Sequence, residues 1–84
     1  MYSVRFSPRA QRDLRGLPAE VVRRVLPRIG ELSAEPRPTG AKKLSGEKDI
    51  WRIRIGDYRV LYAIEDGIRV VEVRKVGHRK DIYD

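Results

Sequence analysis

Arg52, Arg54, Arg59, Arg74 and Arg79 crowd the second half of this chain, and His78 and Tyr83 flank the last of them. Guanidinium forks bind phosphate oxygens bidentately, and an aromatic ring stacks on an unpaired base. RNA carries its own nucleophile, the 2′-hydroxyl, which attacks the adjacent phosphorus when it is held in line. Cleavage of that kind asks a protein for positioning, for stabilisation of charge on the phosphoryl oxygens and for a proton shuttle. Five arginines supply the first two richly. They supply the third poorly, because a guanidinium is effectively never deprotonated in a protein. Histidine is the side chain that ordinarily titrates near neutrality, so His78 is the candidate shuttle. The blander role, a histidine closing the end of a strand, stands beside it. Tyr83 has two roles open as well, a partner for the nucleotide or a plug for the core.

The elements that must position these groups begin with W-R-I-R-I-G-D-Y-R-V-L-Y, from Trp51 to Tyr62. Both arms alternate with period two, the pattern of half-buried strands. Gly56-Asp57 between them is a two-residue hairpin loop, with Gly at the first central position of a type II′ turn. The register follows: Ile55 faces Tyr58, Arg54 faces Arg59, Ile53 faces Val60, Arg52 faces Leu61 and Trp51 faces Tyr62. Trp51, Ile53, Ile55, Tyr58, Val60 and Tyr62 share a core face, and Arg52, Arg54 and Arg59 share the other. Like charges directly opposite each other across strands cost stability, so Arg54 against Arg59 points to an anion. Asp66-Gly67 signals a second hairpin. A two-residue loop there pairs Ile64 with Arg69 and Arg59 with Arg74, which adds Arg74 to the arginine face.

Upstream, Tyr2–Phe6 alternates as a short first strand. Ser7 is an N-cap with Pro8 at the first helical position, and Ala10, Leu14 and Leu17 form the apolar stripe of a short helix ending at Gly16. Pro18 opens a second helix whose stripe is Val22, Val25, Ile29 and Leu32. Pro27 lies inside it, which predicts a kink near Arg23–Arg24 or two shorter helices. Glu35–Gly40 is a loop by composition, and Ala41–Gly46 is a basic approach to the hairpin. Strands over 49–55, 58–65 and 68–76 follow. The tail from Gly77 then leaves the last strand beside the arginines. The architecture is α+β: one strand, two helices, a three-strand antiparallel meander and a short tail.

Eighty-four residues make one domain, spanning 1–84, with one modest core. The net charge is +7, with 19 Lys+Arg against 12 Asp+Glu, which suits a nucleic acid or an acidic partner. The excess is spread along the chain, so any basic patch must be assembled by folding. Lys42, Lys43 and Lys80 join Arg52 and Arg74 as the candidate RNA-binding set. No cysteine is present, which excludes disulfides and thiolate zinc sites. One histidine and no clustered carboxylates argue against a protein-built transition-metal site, and no cofactor is expected. The N-terminus lacks an apolar signal core and no long apolar run occurs, so the expectation is a soluble, cytoplasmic protein.

The G-D-Y-R-V-L-Y hairpin, the G-H-R-x-x-x-Y tail and the order of elements together resemble the RelE branch of the RelE/ParE toxin superfamily of prokaryotic toxin–antitoxin systems. The resemblance spans essentially the whole chain. It implies a compact α+β fold, a ribosome-dependent endoribonuclease that cuts mRNA, and neutralisation by an antitoxin that wraps the toxin. By this resemblance Arg52 and Arg54 match two basic residues that are more often lysines, and Arg59 matches an arginine that supports the transition state. Arg79 matches the arginine assigned to the leaving group, and Tyr83 the tyrosine that stacks on or orients the nucleotide. The chain departs from the pattern where a base is needed, since Arg54 replaces a lysine and no carboxylate stands near Gly40-Ala41. Two other functions stay open on the same residues. One is a non-enzymatic gyrase inhibitor like the ParE branch; the other is a catalytically weak homologue that only binds RNA or an antitoxin.

Overall fold

The computed structural model describes residues 1–44, 46 and 49–82. Five strands and two helices run in the order β1 (Ser3–Phe6), α1 (Pro8–Arg15), α2 (Ala19–Glu31), β2 (Lys42–Lys43), β3 (Ile50–Ile55), β4 (Tyr58–Glu65) and β5 (Val70–His78). They form a single sheet ordered β1-β5-β4-β3-β2. The meander β3-β4-β5 is antiparallel as expected. The sheet as a whole is mixed, because β1 lies parallel to β5, with Phe6 beside Val73. That parallel pairing needs a crossover, and the two helices begin it by carrying the chain from β1 at one edge of the sheet to β2 at the other.

Local signals explain both helices. The Ser7 hydroxyl accepts from the Ala10 N–H at 3.1 Å and Pro8 starts α1, so the first orphan donors are met. In α2 the buried stripe is Val21, Val25 and Ile29, continued by Leu32 beyond the last turn. Val21 takes the place expected for Val22, which is half-buried. Pro27 does not split the helix: α2 runs as one element of 13 residues. Pro27 and Arg23 are both exposed, so the Arg23 carbonyl that loses its partner turns to water. The core lies between the helices and one sheet face. There Val25, Ile29 and Leu32 meet Ile53, Val60, Tyr62, Ile64, Val71 and Val73, with Ala10 of α1.

The first hairpin has the expected register throughout, from Ile55 opposite Tyr58 to Trp51 opposite Tyr62, with Arg54 opposite Arg59. The second hairpin corrects the sequence reading. Glu65 pairs with Val70, so the loop is four residues, Asp66–Arg69, and Arg69 supplies the left-handed backbone at φ 53. Gly67 does not have a positive φ, so the Asp-Gly pair is not used as a type I′ turn. Ile68 sits on the turn, 69 % exposed. A further register shift follows between Leu61 and Tyr62. Arg59 therefore lies opposite Gly77, not Arg74. The phase of β5 differs from the expected one by three residues, roughly 10 Å along a strand.

Helix α1 holds that irregularity in place. Ser7 N–H donates to Val73 O at 2.9 Å, Ser7 Oγ to Arg74 O at 3.1 Å, and Val76 N–H donates to the Asp13 carboxylate at 3.0 Å. Backbone groups that an irregular ladder leaves over are thus met by the Ser7 cap of α1 and by Asp13 near its other end. At the far end of the sheet Arg37 donates twice to Asp66, at 3.2 and 2.8 Å, and the Tyr2 hydroxyl donates to it at 2.6 Å. The hydrogen bonds from Arg37 and then Tyr2 hold the Asp66 carboxyl down to about 2. Arg37 also covers the Trp51 ring, 5.2 Å from its centroid. Burial pushes the Tyr62 phenol up to about 12, and its hydroxyl donates to Pro36 O at 2.7 Å.

Candidate active site

Gly56 has φ 59 and Asp57 has no positive φ, the pattern of the type II′ turn the sequence called for. This turn is the tip around which the cationic groups gather. Arg54 and Arg59, neighbours across the strands, line a cleft of about 250 Å³ together with Gly56, Asp57 and Arg79. Arg79 arrives from the turn that follows β5. Its N–H donates to Asp57 O at 2.8 Å, and its Nε lies 3.8 Å from Asp57 Oδ1. Tyr58 lies opposite His78, so the residue after His78 lands beside the hairpin tip. The three-residue change in β5 phase is what brings Arg79 there.

Three guanidinium groups on one small cleft make a cradle for a tetrahedral anion, each able to offer paired N–H donors. Arg24 of α2 reaches the same turn without lining the cleft: a Cβ on Gly56 would sit 2.9 Å from Arg24 Nη2. The sequence placed Arg24 on the outer face of α2 and gave no sign that it reaches over the turn. Its reach was hidden because α2 and the hairpin are distant in sequence. Gly56 was legible as a turn glycine, but its second role as clearance for Arg24 was not.

The other expected site residues are dispersed. Arg52 is 3 % exposed, which corrects its placement on an open face. The sheet face it shares is closed around it, with Leu61, Ala63 and Val70 also buried. Arg74 is exposed and pairs with Glu72 at 2.7 Å. It lies away from the cleft because the register places Gly77 opposite Arg59. Lys42 and Lys43 form the exposed edge strand beside Arg52 and Trp51. Lys80 is exposed in the last turn. Tyr83 lies outside the described residues.

His78 is half-buried and does not line the arginine cleft. It lines a second hollow, of about 430 Å³, on the α1 side with Arg9, Arg12, Asp13 and Tyr58. Its ring meets Tyr58 edge to face, centroids 5.3 Å apart. His78 Nδ1 accepts the Lys80 N–H at 3.1 Å, so the second nitrogen carries the proton in the neutral ring. The tail thus delivers Arg79 to the cleft and His78 to the opposite side of the sheet. Among the described residues no group of three or more His, Asp or Glu converges as metal ligands, and no helix is long and apolar enough to cross a membrane.

Comparison with known proteins agrees with this architecture. Residues 4–83 match the family model for the ParE toxin of type II toxin–antitoxin systems. Toxin RelG of Mycobacterium tuberculosis is 39% identical over 83 residues, covering 98% of this chain and 95% of that protein. The RelBE2 toxin–antitoxin complex of the same organism contains a chain with TM-score 0.82 and 39% identity, over 93% of this chain and 98% of that one. A chain of the intact E. coli RelBE complex gives TM-score 0.82 at 30% identity, over 93% and 96% of the two chains.

Proposed function

This chain belongs to the RelE/ParE toxin family of type II toxin–antitoxin systems, and we propose that it is a ribosome-dependent endoribonuclease that cuts mRNA by internal attack of the 2′-hydroxyl. The observation that carries this reading is the convergence of Arg54, Arg59 and Arg79 on one cleft at the hairpin tip. Internal attack needs no external nucleophile. What it needs is a phosphate held in line and a site complementary to the extra charge that develops on its oxygens. Arginine forks aimed at that position stabilise the transition state more than the ground state, which is what raises a rate. The substrate brings the nucleophile, so the reaction requires no metal or cofactor from the protein. The ribosome would hold the mRNA strand, and the protein would supply the cradle.

The partners that go with this role are mRNA on the ribosome and a neutralising antitoxin. A net charge of +7 speeds encounter with both an anionic strand and an acidic antitoxin segment. Solved relatives are complexes of toxin with antitoxin, which supports the second partner. The family model names ParE, and this favours a second reading as a non-enzymatic gyrase inhibitor; the arginine cleft weighs against it. Induction in cells with mapping of RNA 5′ ends separates the two. New 5′ ends within translated messages are expected. DNA damage without new RNA ends would replace the ribonuclease with the gyrase reading.

A further inference from the structure

An arginine cradle leaves the proton of the attacking hydroxyl without a taker, and the structure narrows where it can go. Of the residues lining the cleft, Arg54, Arg59 and Arg79 cannot accept a proton and Gly56 has no side chain. Among the described residues that line it, Asp57 is the remaining one. His78 faces the other side of the sheet, with Nδ1 engaged by the Lys80 N–H. We propose that Asp57 is the proton acceptor of the cleft and therefore a catalytic residue. This rests on the ribonuclease reading above and deepens it.

The position of Asp57 is fixed from two directions. Gly56 in the left-handed region closes the turn before it, and Arg79 N–H anchors its carbonyl at 2.8 Å. Its carboxylate is left in the cleft mouth, with Arg79 Nε 3.8 Å from Oδ1. The side chain is 65 % exposed, so a proton taken from substrate returns directly to water. In the cleavage, a carboxylate oxygen of Asp57 takes the 2′-hydroxyl proton as the 2′-oxygen forms its bond to phosphorus. The phosphorus–5′-oxygen bond breaks, and that oxygen leaves with the electron pair and takes a proton from water. The products are a 2′,3′-cyclic phosphate and a 5′-hydroxyl end. Asp57 then releases its proton to solvent, so no net charge or electron is left on the protein.

A structural part for Asp57 predicts something else. Turn geometry and the anchor to Arg79 use its backbone, and asparagine preserves both along with the size and the hydrogen-bond acceptor near Arg79. Asp57→Asn therefore removes proton acceptance selectively. The test is single-turnover cleavage of mRNA on programmed ribosomes, with ribosome binding and thermal melting measured in parallel. Asp57→Asn should slow cleavage by on the order of 10²–10⁴, the range of general acid–base contributions, while binding as tightly as wild type or tighter. Asp57→Glu should recover part of the rate, and His78→Gln should cleave within a few-fold of wild type. An Asp57→Asn rate within twofold of wild type, or a rate loss matched by lost binding, overturns the proposal while leaving the ribonuclease reading intact. A large loss for His78→Gln alone moves the shuttle to His78 and overturns it as well. If wild type itself leaves mRNA uncut on ribosomes, the ribonuclease reading falls and takes this assignment with it.

Discussion

Gly77 offers the sharpest test of how the fold places Arg79. It lies in β5 opposite Arg59, and a Cβ added there would stand 2.9 Å from Ile82 Cδ1 and 3.1 Å from Ile82 Cγ1. Ile82 is 4 % exposed, so the displaced atoms have little room. Its N–H also closes the last turn on His78 O at 3.2 Å, and Arg79 rides on that turn. Gly77→Ala is thus overpacking in the strand that leads to the proposed cleft. Overpacking of a core costs about 1–3 kcal/mol, and in a domain this size each kcal/mol lowers Tm by about 4–8 °C. Ile82→Val removes Cδ1, the nearest clashing atom, at a cost of about 0.5–1.5 kcal/mol on its own. The double variant should therefore be less destabilised than the two singles added together. Urea titrations of the four proteins close the cycle, and cleavage assays follow alongside. Activity should fall in Gly77→Ala beyond what the unfolded fraction explains and return in part in the double variant. Additive free energies, or a Gly77→Ala protein as stable as wild type, would show that Ile82 does not lean on this glycine and that the reasoning is wrong.

Arg59→Ala and Arg79→Ala should each lower cleavage by about 10²–10³, the usual cost of one lost donor to a developing oxyanion, with circular dichroism unchanged. Wild-type toxicity in both at equal expression would remove the cleft from the mechanism. Stability against pH should be limited at both ends. Asp66 titrates near 2 in the fold against about 3.9 unfolded, so its share is present above pH 4 and lost as pH falls toward 2. Tyr62 titrates near 12 in the fold against about 10 unfolded, so its share is present below pH 10 and lost as pH rises toward 12. Asp66→Asn and Tyr62→Phe should flatten the acid and alkaline limbs respectively, as read by thermal melts across pH.

The parts of the fold legible in the sequence were those settled by neighbours in the chain. Ser7-Pro8 specified the start of α1, and Gly56-Asp57 specified both a turn type and a register, because a two-residue loop leaves no freedom. Asp66-Gly67 misled for the same kind of reason. The dipeptide suits a type I′ turn, but Asp66 is held by Arg37 and Tyr2 from elsewhere in the chain, and Arg69 takes the left-handed position. The β5 irregularity was invisible because its partners, Ser7 and Asp13, sit more than 60 residues away. Arg54 and Arg59 come out as a pair from period two together with the two-residue loop. Arg52 obeys the same period and still ends buried, since alternation says which face a side chain is on and not whether that face is open.

The proposed role of Asp57 is illegible in the sequence for a related reason. An aspartate after a turn glycine has an adequate local explanation, and a count of carboxylates found no cluster for it to join. Its chemical meaning depends on Arg79, and Arg79 reaches it only through the shifted phase of β5. That phase is held by α1, through Asp13 on Val76 N–H and Ser7 on Arg74 O. The cleft is therefore a product of the hairpin turn that lines it and of a helix that does not. Helix α1 sets where β5 ends, and the hairpin turn sets what it ends beside. The charges at the tip meet only while both devices remain. Loss of either device would scatter the arginines without changing one of them.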